Sequence, residues 1–311
     1  MLKLQKMKDA MIELLWVDKL KDIFTYPDEM LEATSEWISG NDCGEIFYIT
    51  LDDYIIGITG WYKTSIDNMF GLRWTGILPE YRGHGYCMQA VKMMYLHIAE
   101  QTKQWPRLFE IANTEETAKY FEHNKFIRVE KEETIKNIIE SGGEIGDSIV
   151  LEFNASGLDI ESIGTAIKSI YGVGMERNID RYGDGTRNYG AMGHNIIYLS
   201  PFDDEDLEIT AAFHELGHKI SEDLFFTKGM KCYYVSTISK EGSAWEIGFN
   251  EMAKAGFKLD YDSKQYQFAR KCMSSYIGGE YDDVTILNET LKEHTLRHKI
   301  DMRLEEAWRK K

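Results

Sequence analysis

Two short stretches of this chain combine residue types and spacings that could do chemistry. The first is Arg82-Gly83-His84-Gly85-Tyr86-Cys87, which follows an apolar, β-rich run ending at Pro79 and precedes an amphipathic helix. Glycines there let a backbone approach a ligand closely, and successive N–H groups at a helix N-terminus point at anionic oxygens. Arg82 adds positive charge, so the stretch reads as a cradle for a phosphate-bearing molecule. Taken alone, an Arg-Gly-x-Gly tetrapeptide would read first as a plain strand-to-helix turn. The second stretch is His214-Glu215-Leu216-Gly217-His218. On a helix its two imidazoles face the same way and can share one zinc ion, with Glu215 beside them as a general base.

Other neighbours decide whether the second pattern is more than a surface helix with two unrelated histidines. Ile209, Ala212, Phe213 and Leu216 form an apolar helix face, Gly217 is small, and a β-like strand, Asn195 to Ser200, precedes the helix. That strand is expected to offer its edge to an extended peptide.

The elements that must position these residues read as two units, 1–140 and 147–311. Two helical stretches open the chain, and the runs Ile46 to Leu51 and Tyr54 to Lys63, separated by Asp52-Asp53, have the signature of a β-hairpin. A third strand spans Phe70 to Leu78, a helix follows from about Met88 to Glu100, and a strand covers Leu108 to Ala112. A helix through Phe121 and a strand near Phe126 to Val129 complete the unit. Ser141-Gly142-Gly143 and Gly146-Asp147 mark the boundary, so the strand Ser148 to Phe153 is expected to open the second unit. There the Gly-rich loop Tyr182 to Gly193 lacks the Gly-Lys-Ser/Thr ending of a phosphate loop and is expected to shape the entrance to the zinc cleft. The acidic run Asp203 to Asp206 suits a helix N-terminus, and most of the remaining chain reads as helical.

The segment GILPEYRGHGYCMQAV resembles the acetyl-CoA-binding segment of the GNAT N-acetyltransferases, with Arg82, Gly85 and Cys87 at its three marked positions. Cys87 stands where Gly or Ala is usual. LFEIANTEETAKYFEHNKFIRV is similar to that family's next strand and helix, where Asn113 and Phe126 match and Lys125 replaces a usual Gly. The resemblance implies an acetyl-CoA site at Ile77, Leu78, Arg82, Gly83, His84, Gly85, Tyr86, Cys87 and Asn113. It also implies a tyrosine as proton donor to the departing thiolate. Counting forward from Asn113 selects Tyr120, and counting back from Phe126 selects Phe121. Glu110 and Glu80 are carboxylates near the site, and each is expected on a solvated edge.

FHELGHKI and the later Glu241-Gly242-Ser243-Ala244 resemble zincin-like metallopeptidases, particularly the ImmA/IrrE group of phages and mobile elements. That resemblance implies His214, His218 and Glu241 as zinc ligands, with Glu246 as the alternative third ligand, and Glu215 as the catalytic base. His294 and His298 also stand four apart, but Thr295 replaces the glutamate, and they read as surface residues.

The expected fold is therefore α/β, a mixed central sheet flanked by helices, followed by a compact, mostly helical α+β unit with a small sheet. The net charge of −16 and the lack of a Lys/Arg cluster argue against nucleic acid as a partner. Four scattered cysteines, without a close pair, point to reduced thiols. No apolar run approaches the roughly 20 residues that span a bilayer, so no membrane partner is expected. The expected address is the cytoplasm, that of a host if the chain is phage-encoded. The expected activity is acetyl transfer to an amine or protein acceptor, with an appended zinc site that cleaves or binds a peptide. Two competing readings are an interaction or virion protein built on degenerate enzyme folds, and a zinc protease regulated by acetyl-CoA.

Overall fold

A computed structural model describes residues 1–7, 23, 44–64, 66–112, 114–130, 149–177, 190–193, 195–200, 202–227, 237–260 and 262–277. The chain divides into two compact units, Met1–Leu158 and Asp159–Lys311.

The first unit is built on a seven-stranded sheet. Its strands are β1 (Leu2–Lys6), β2 (Gly44–Leu51), β3 (Tyr54–Lys63), β4 (Met69–Ile77), β5 (Arg107–Ala112), β6 (Ile127–Arg128) and β7 (Ile149–Phe153). They lie side by side in the order β1-β2-β3-β4-β5-β7-β6. β2 and β3 form a hairpin whose two turn residues, Asp52 and Asp53, have φ of 48° and 69°. Two left-handed residues give the tight turn whose twist matches that of the flanking strands. The pair β4 and β5 is parallel, and helix α1 (Tyr86–Thr102) makes the crossover between them. Met88, Val91, Met94, Tyr95, Ile98 and Ala99 face the core from α1 at helical spacing. Helix α2 (Glu115–His123) starts at Thr114, whose side chain accepts from the N–H of Thr117.

Two expectations about the first sheet are corrected. The opening residues Leu2 to Lys6 are a strand rather than part of a helix, paired with β2 from Leu2 against Leu51 to Lys6 against Phe47. Leu2 and Leu4 recur with period two, and the hydrogen-bonding edge of β2 settles which period is used. The other residues of the two opening helical stretches lie outside the described residues, apart from Met7 and Ile23, as does the Ser141 to Asp147 boundary. The strand expected to open the second unit, β7, instead inserts between β5 and β6. Glu152 of β7 is gripped by the Arg107 guanidinium and accepts from Asn154 at 3.0 Å.

The second unit contains helix α3 (Ile160–Tyr171), strands β8 (Gly174–Arg177), β9 (Gly190–Met192) and β10 (Ile196–Leu199), and helices α4 (Glu205–Thr227), α5 (Thr237–Lys254) and α6 (Lys264–Ile277). Asp159 caps α3 by accepting from the Ser162 N–H at 2.9 Å, and Gly172 ends it with φ of 71°. β10 is the middle of a three-stranded sheet, parallel to β8 and antiparallel to β9. Its edges are therefore taken, which corrects the expectation that Asn195 to Ser200 offers one. The end of the glycine-rich loop supplies β9, and the part of the loop from 182 to 189 lies outside the described residues.

An ion pair to a buried carboxylate ties this sheet to α4. Nε of Arg177 bonds Oε1 of Glu208 at 2.6 Å, and its Nη2 bonds Oε2 at 2.9 Å. Glu208 is 1% exposed. Arg177→Met leaves that carboxylate unpaired and should cost about 3 kcal/mol in a urea melt. Adding Glu208→Leu to the same chain should recover most of the loss, whereas a single variant as stable as the native chain would refute the pairing argument.

Candidate functional site

In the first unit, the site begins where the sheet comes apart. β4 pairs with β5 only from Met69 against Arg107 to Gly71 against Phe109. Just beyond, Trp74 and Thr75 of β4 stand opposite Thr59 alone, because the register with β3 shifts between Ile58 and Gly60. Trp74 takes a φ of 56°. Such a bulge bends its strand and increases the local twist. β4 thus runs on to Ile77 with no ladder to β5, while Glu110 to Ala112 keep their pairing with β7. The parting leaves a cleft with backbone N–H and C=O groups along its walls, suited to an extended chain that carries amides.

The turn predicted to cradle phosphate lies at the end of β4. After a short 3-10 turn, Pro79–Tyr81, Arg82 is extended, and its Nε donates to the Ile77 oxygen at 3.0 Å. Gly83 and Gly85 have φ of 81° and 74°, and a Cβ on either would meet no atom within 4 Å. Glycine is needed there for the left-handed backbone, and the space above the turn is open. Gly85 begins α1 without a side-chain cap, so first-turn N–H groups remain available to an anion. His84 and Tyr86 flank the turn with ring centroids 5.6 Å apart. The side chains of Ile77 and Leu78 are core. The Leu78 N–H goes to Ile56 and the Ile77 oxygen accepts from Arg82.

Three titratable groups meet beside this cleft. The Cys87 thiol is pushed up to about 11 by burial, with the Glu110 charge adding to it and a hydrogen bond to Tyr120 opposing. Burial and the Cys87 thiol push Tyr120 up to about 12. Tyr120 is 46% exposed, whereas Phe121 points into the core against Phe126, centroids 4.8 Å apart. Of the two residues left open by counting, Tyr120 is the one beside Cys87. Asn113 lies outside the described residues.

Glu110 corrects another expectation, since it is not on a solvated edge. Its Oε1 accepts from the Ile111 N–H at 3.2 Å, and its Oε2 is buried and has no hydrogen-bond partner among the described residues. Burial pushes the carboxyl up to about 8. A signal was available: Glu110 is the only charged residue in the run Leu108 to Ala112.

In the second unit, α4 and α5 bring three predicted residues together. Nε2 of His214 lies 3.1 Å from Oε2 of Glu241, and Nε2 of His218 lies 3.4 Å from the same oxygen. The ligand atoms of these three residues all fall within 4.8 Å of one another, and among the described residues they are the group so arranged. Glu246, the alternative ligand, is not in it. Burial lowers His214. Burial opposes but does not outweigh the carboxylates of Glu241 and Glu215 that raise His218. Burial alone would raise Glu241, yet its hydrogen bonds to both histidines hold it at about 2. Glu215 is raised to about 7, chiefly by burial.

Close helix packing makes this convergence possible. A Cβ on Gly217 of α4 would stand 2.1 Å from the Ala244 oxygen, and one on Gly248 of α5 would stand 2.6 Å from the Phe213 oxygen. β9 also comes close, with the Cβ position of Gly190 2.8 Å from Oε1 of Glu215. Trp245, which sequence reasoning passed over, stacks on His214 with centroids 4.0 Å apart. Its spacing of four from Glu241 on one helix was the available signal. His294 and His298 lie outside the described residues.

No protein-family model and no curated protein matches the chain. Several solved structures are similar to about half of the chain. RimL, a ribosomal L7/L12 alpha-N-protein acetyltransferase in complex with coenzyme A, is 13% identical over 49% of this chain and 93% of its own, with a TM-score of 0.36. An acetyltransferase of the GNAT family from Staphylococcus aureus Mu50 is 15% identical over 49% and 98%, with a TM-score of 0.36. The PaiA N-acetyltransferase from Thermoplasma acidophilum in complex with coenzyme A is 14% identical over 49% and 96%, with a TM-score of 0.32. Among the described residues no helix is long and apolar enough to cross a membrane.

Proposed function

We propose that the first unit is an acetyl-CoA-dependent N-acetyltransferase acting on an amine, whether a protein lysine, an N-terminus or a small amine. The observation that carries this reading is the parting of β4 from β5 directly below the open turn Arg82 to Gly85. A long ligand with phosphates at one end and amides along its arm fits that pair of features. Acetyl-CoA supplies the acetyl group on a thioester. Arg82 and the N–H groups at the start of α1 hold the phosphates, and the walls of the cleft orient the arm. The Tyr120 hydroxyl, protonated at neutral pH, donates to the departing thiolate, and Glu110 accepts the proton of the attacking amine. Asn113 belongs to the same proposed set.

For the second unit the reading is a zinc-holding, peptidase-like site at His214, His218 and Glu241, favoured by the convergence of their ligand atoms. Tetrahedral zinc with bonds of about 2.1 Å needs ligand atoms roughly 3.4 Å apart; the separations from Glu241 are 3.1 and 3.4 Å, and all three ligand atoms lie within 4.8 Å of one another. Zinc would supply Lewis acidity toward a peptide carbonyl. Glu215 is the proton acceptor, and β9 lies against it.

Calorimetry with acetyl-CoA on the purified chain, with zinc content read from the same sample, tests both readings. The native chain should bind acetyl-CoA and carry about one zinc. Arg82→Glu should weaken acetyl-CoA binding at least about tenfold through charge reversal and leave the zinc content unchanged. An intact chain that binds no acetyl-CoA would sink the transferase reading in favour of an interaction protein built on an enzyme fold.

A further inference from the structure

An imidazole that gives one nitrogen to a metal ordinarily donates its other N–H to a carboxylate, a carbonyl or an ordered water, which fixes the direction of the ring. In His214 the nitrogen facing Glu241 is Nε2, so Nδ1 is the one that calls for such a partner. It is buried, and among the described residues nothing hydrogen-bonds to it. What His214 has instead is a flat neighbour. The Trp245 indole stacks on the imidazole with centroids 4.0 Å apart and planes 23° from parallel.

The indole is itself held in place. Phe249, one turn further along α5, lies 5.5 Å from it, and Phe268 of α6 meets it edge-on at 5.9 Å. Trp245 is 3% exposed, so the stack has no room to swing toward solvent. An imidazole lying on such a surface can slide, but it cannot turn its plane without losing the contact.

We propose that Trp245 is the positioning residue of the candidate metal centre. Its indole, in place of a hydrogen-bonded carboxylate, sets the plane of His214 and so aims Nε2 at the point where His218 and Glu241 converge. This inference rests on the metal-site reading given above. A purely space-filling role would be met by any side chain of similar bulk, whereas orientation requires a flat ring at that position.

The test uses the full chain, stripped of metal and titrated with Zn²⁺ and Co²⁺ against a chromophoric chelator, in native, Trp245→Phe and Trp245→Leu forms. Trp245→Leu should bind both metals at least about tenfold more weakly and show an altered cobalt ligand-field spectrum, while Trp245→Phe should stay within about threefold of native. Bound Co²⁺ should quench part of the native tryptophan emission, and that quenching should vanish in Trp245→Phe. Native affinity and spectrum in Trp245→Leu overturn the positioning role. So does a Trp245→Phe chain that binds as weakly as Trp245→Leu. If Trp245→Leu does not fold, the quenching decides: its persistence in Trp245→Phe overturns the proposal. A native chain that takes up neither metal brings down the metal-site reading itself, a different result from the failure of Trp245 alone.

Discussion

Glu110→Gln should slow acetyl transfer on the order of 100-fold with the amine that an acceptor screen selects. The same change should flatten the pH dependence of the rate. In the native chain burial holds the Glu110 carboxyl at about 8, well above its ordinary 4.5, so the form that can accept a proton is populated only as pH climbs past that value. Native turnover should therefore rise through pH 8, and the glutamine variant should lack that rise. Stability supplies an independent reading with a definite sign. A carboxyl whose folded value is raised favours the protonated fold, so its contribution is fully present below pH 4.5 and is lost as pH rises from 4.5 through about 8. Glutamine stays neutral throughout, so the variant should melt above the native chain at about pH 9 and close to it at about pH 4. Steady-state rates from about pH 6 to about pH 10 and melts at the two extremes check both parts. An unchanged pH profile in the variant would remove Glu110 from the chemistry, whatever the melts show.

Gly217→Ala should destabilise the second unit by about 2 to 3 kcal/mol and abolish stoichiometric zinc uptake. The added methyl would stand 2.1 Å from the Ala244 oxygen, 2.8 Å from its carbonyl carbon and 3.1 Å from its Cα. All three are backbone atoms, so no rotamer change can relieve the clash, and α5 must move off α4. Glu241 travels with α5, while His214 and His218 stay on α4. Metal–ligand bonds tolerate errors of only about 0.2 Å, so a helix displaced by a fraction of the overlap opens the cluster. Gly174→Ala is the control, because its Cβ would meet nothing closer than 3.8 Å, and it should leave both melting and zinc content near native. A Gly217→Ala chain with native zinc content and melting temperature would show that the close crossing does not set the site.

Features that depend on residues a few positions apart are legible in the chain before it folds. The Asp52-Asp53 turn, the left-handed glycines after Arg82 and the shared face of His214 and His218 all follow from local backbone preferences and helical spacing. Tertiary structure alone decided the rest, because pairing and burial depend on partners far along the chain. Leu2 to Lys6 became a strand because β2 offered an edge, and β7 joined the first sheet because β5 and β6 flank it. The Glu110 carboxyl became buried, with one oxygen unpartnered among the described residues, because the sheet opens where it stands. Glu241 rather than Glu246 met the histidines because α4 and α5 cross almost backbone to backbone, and that crossing also laid Trp245 on His214. Periodicity records which side of an element is apolar; which residues oppose each other across the core is set only when the elements pack.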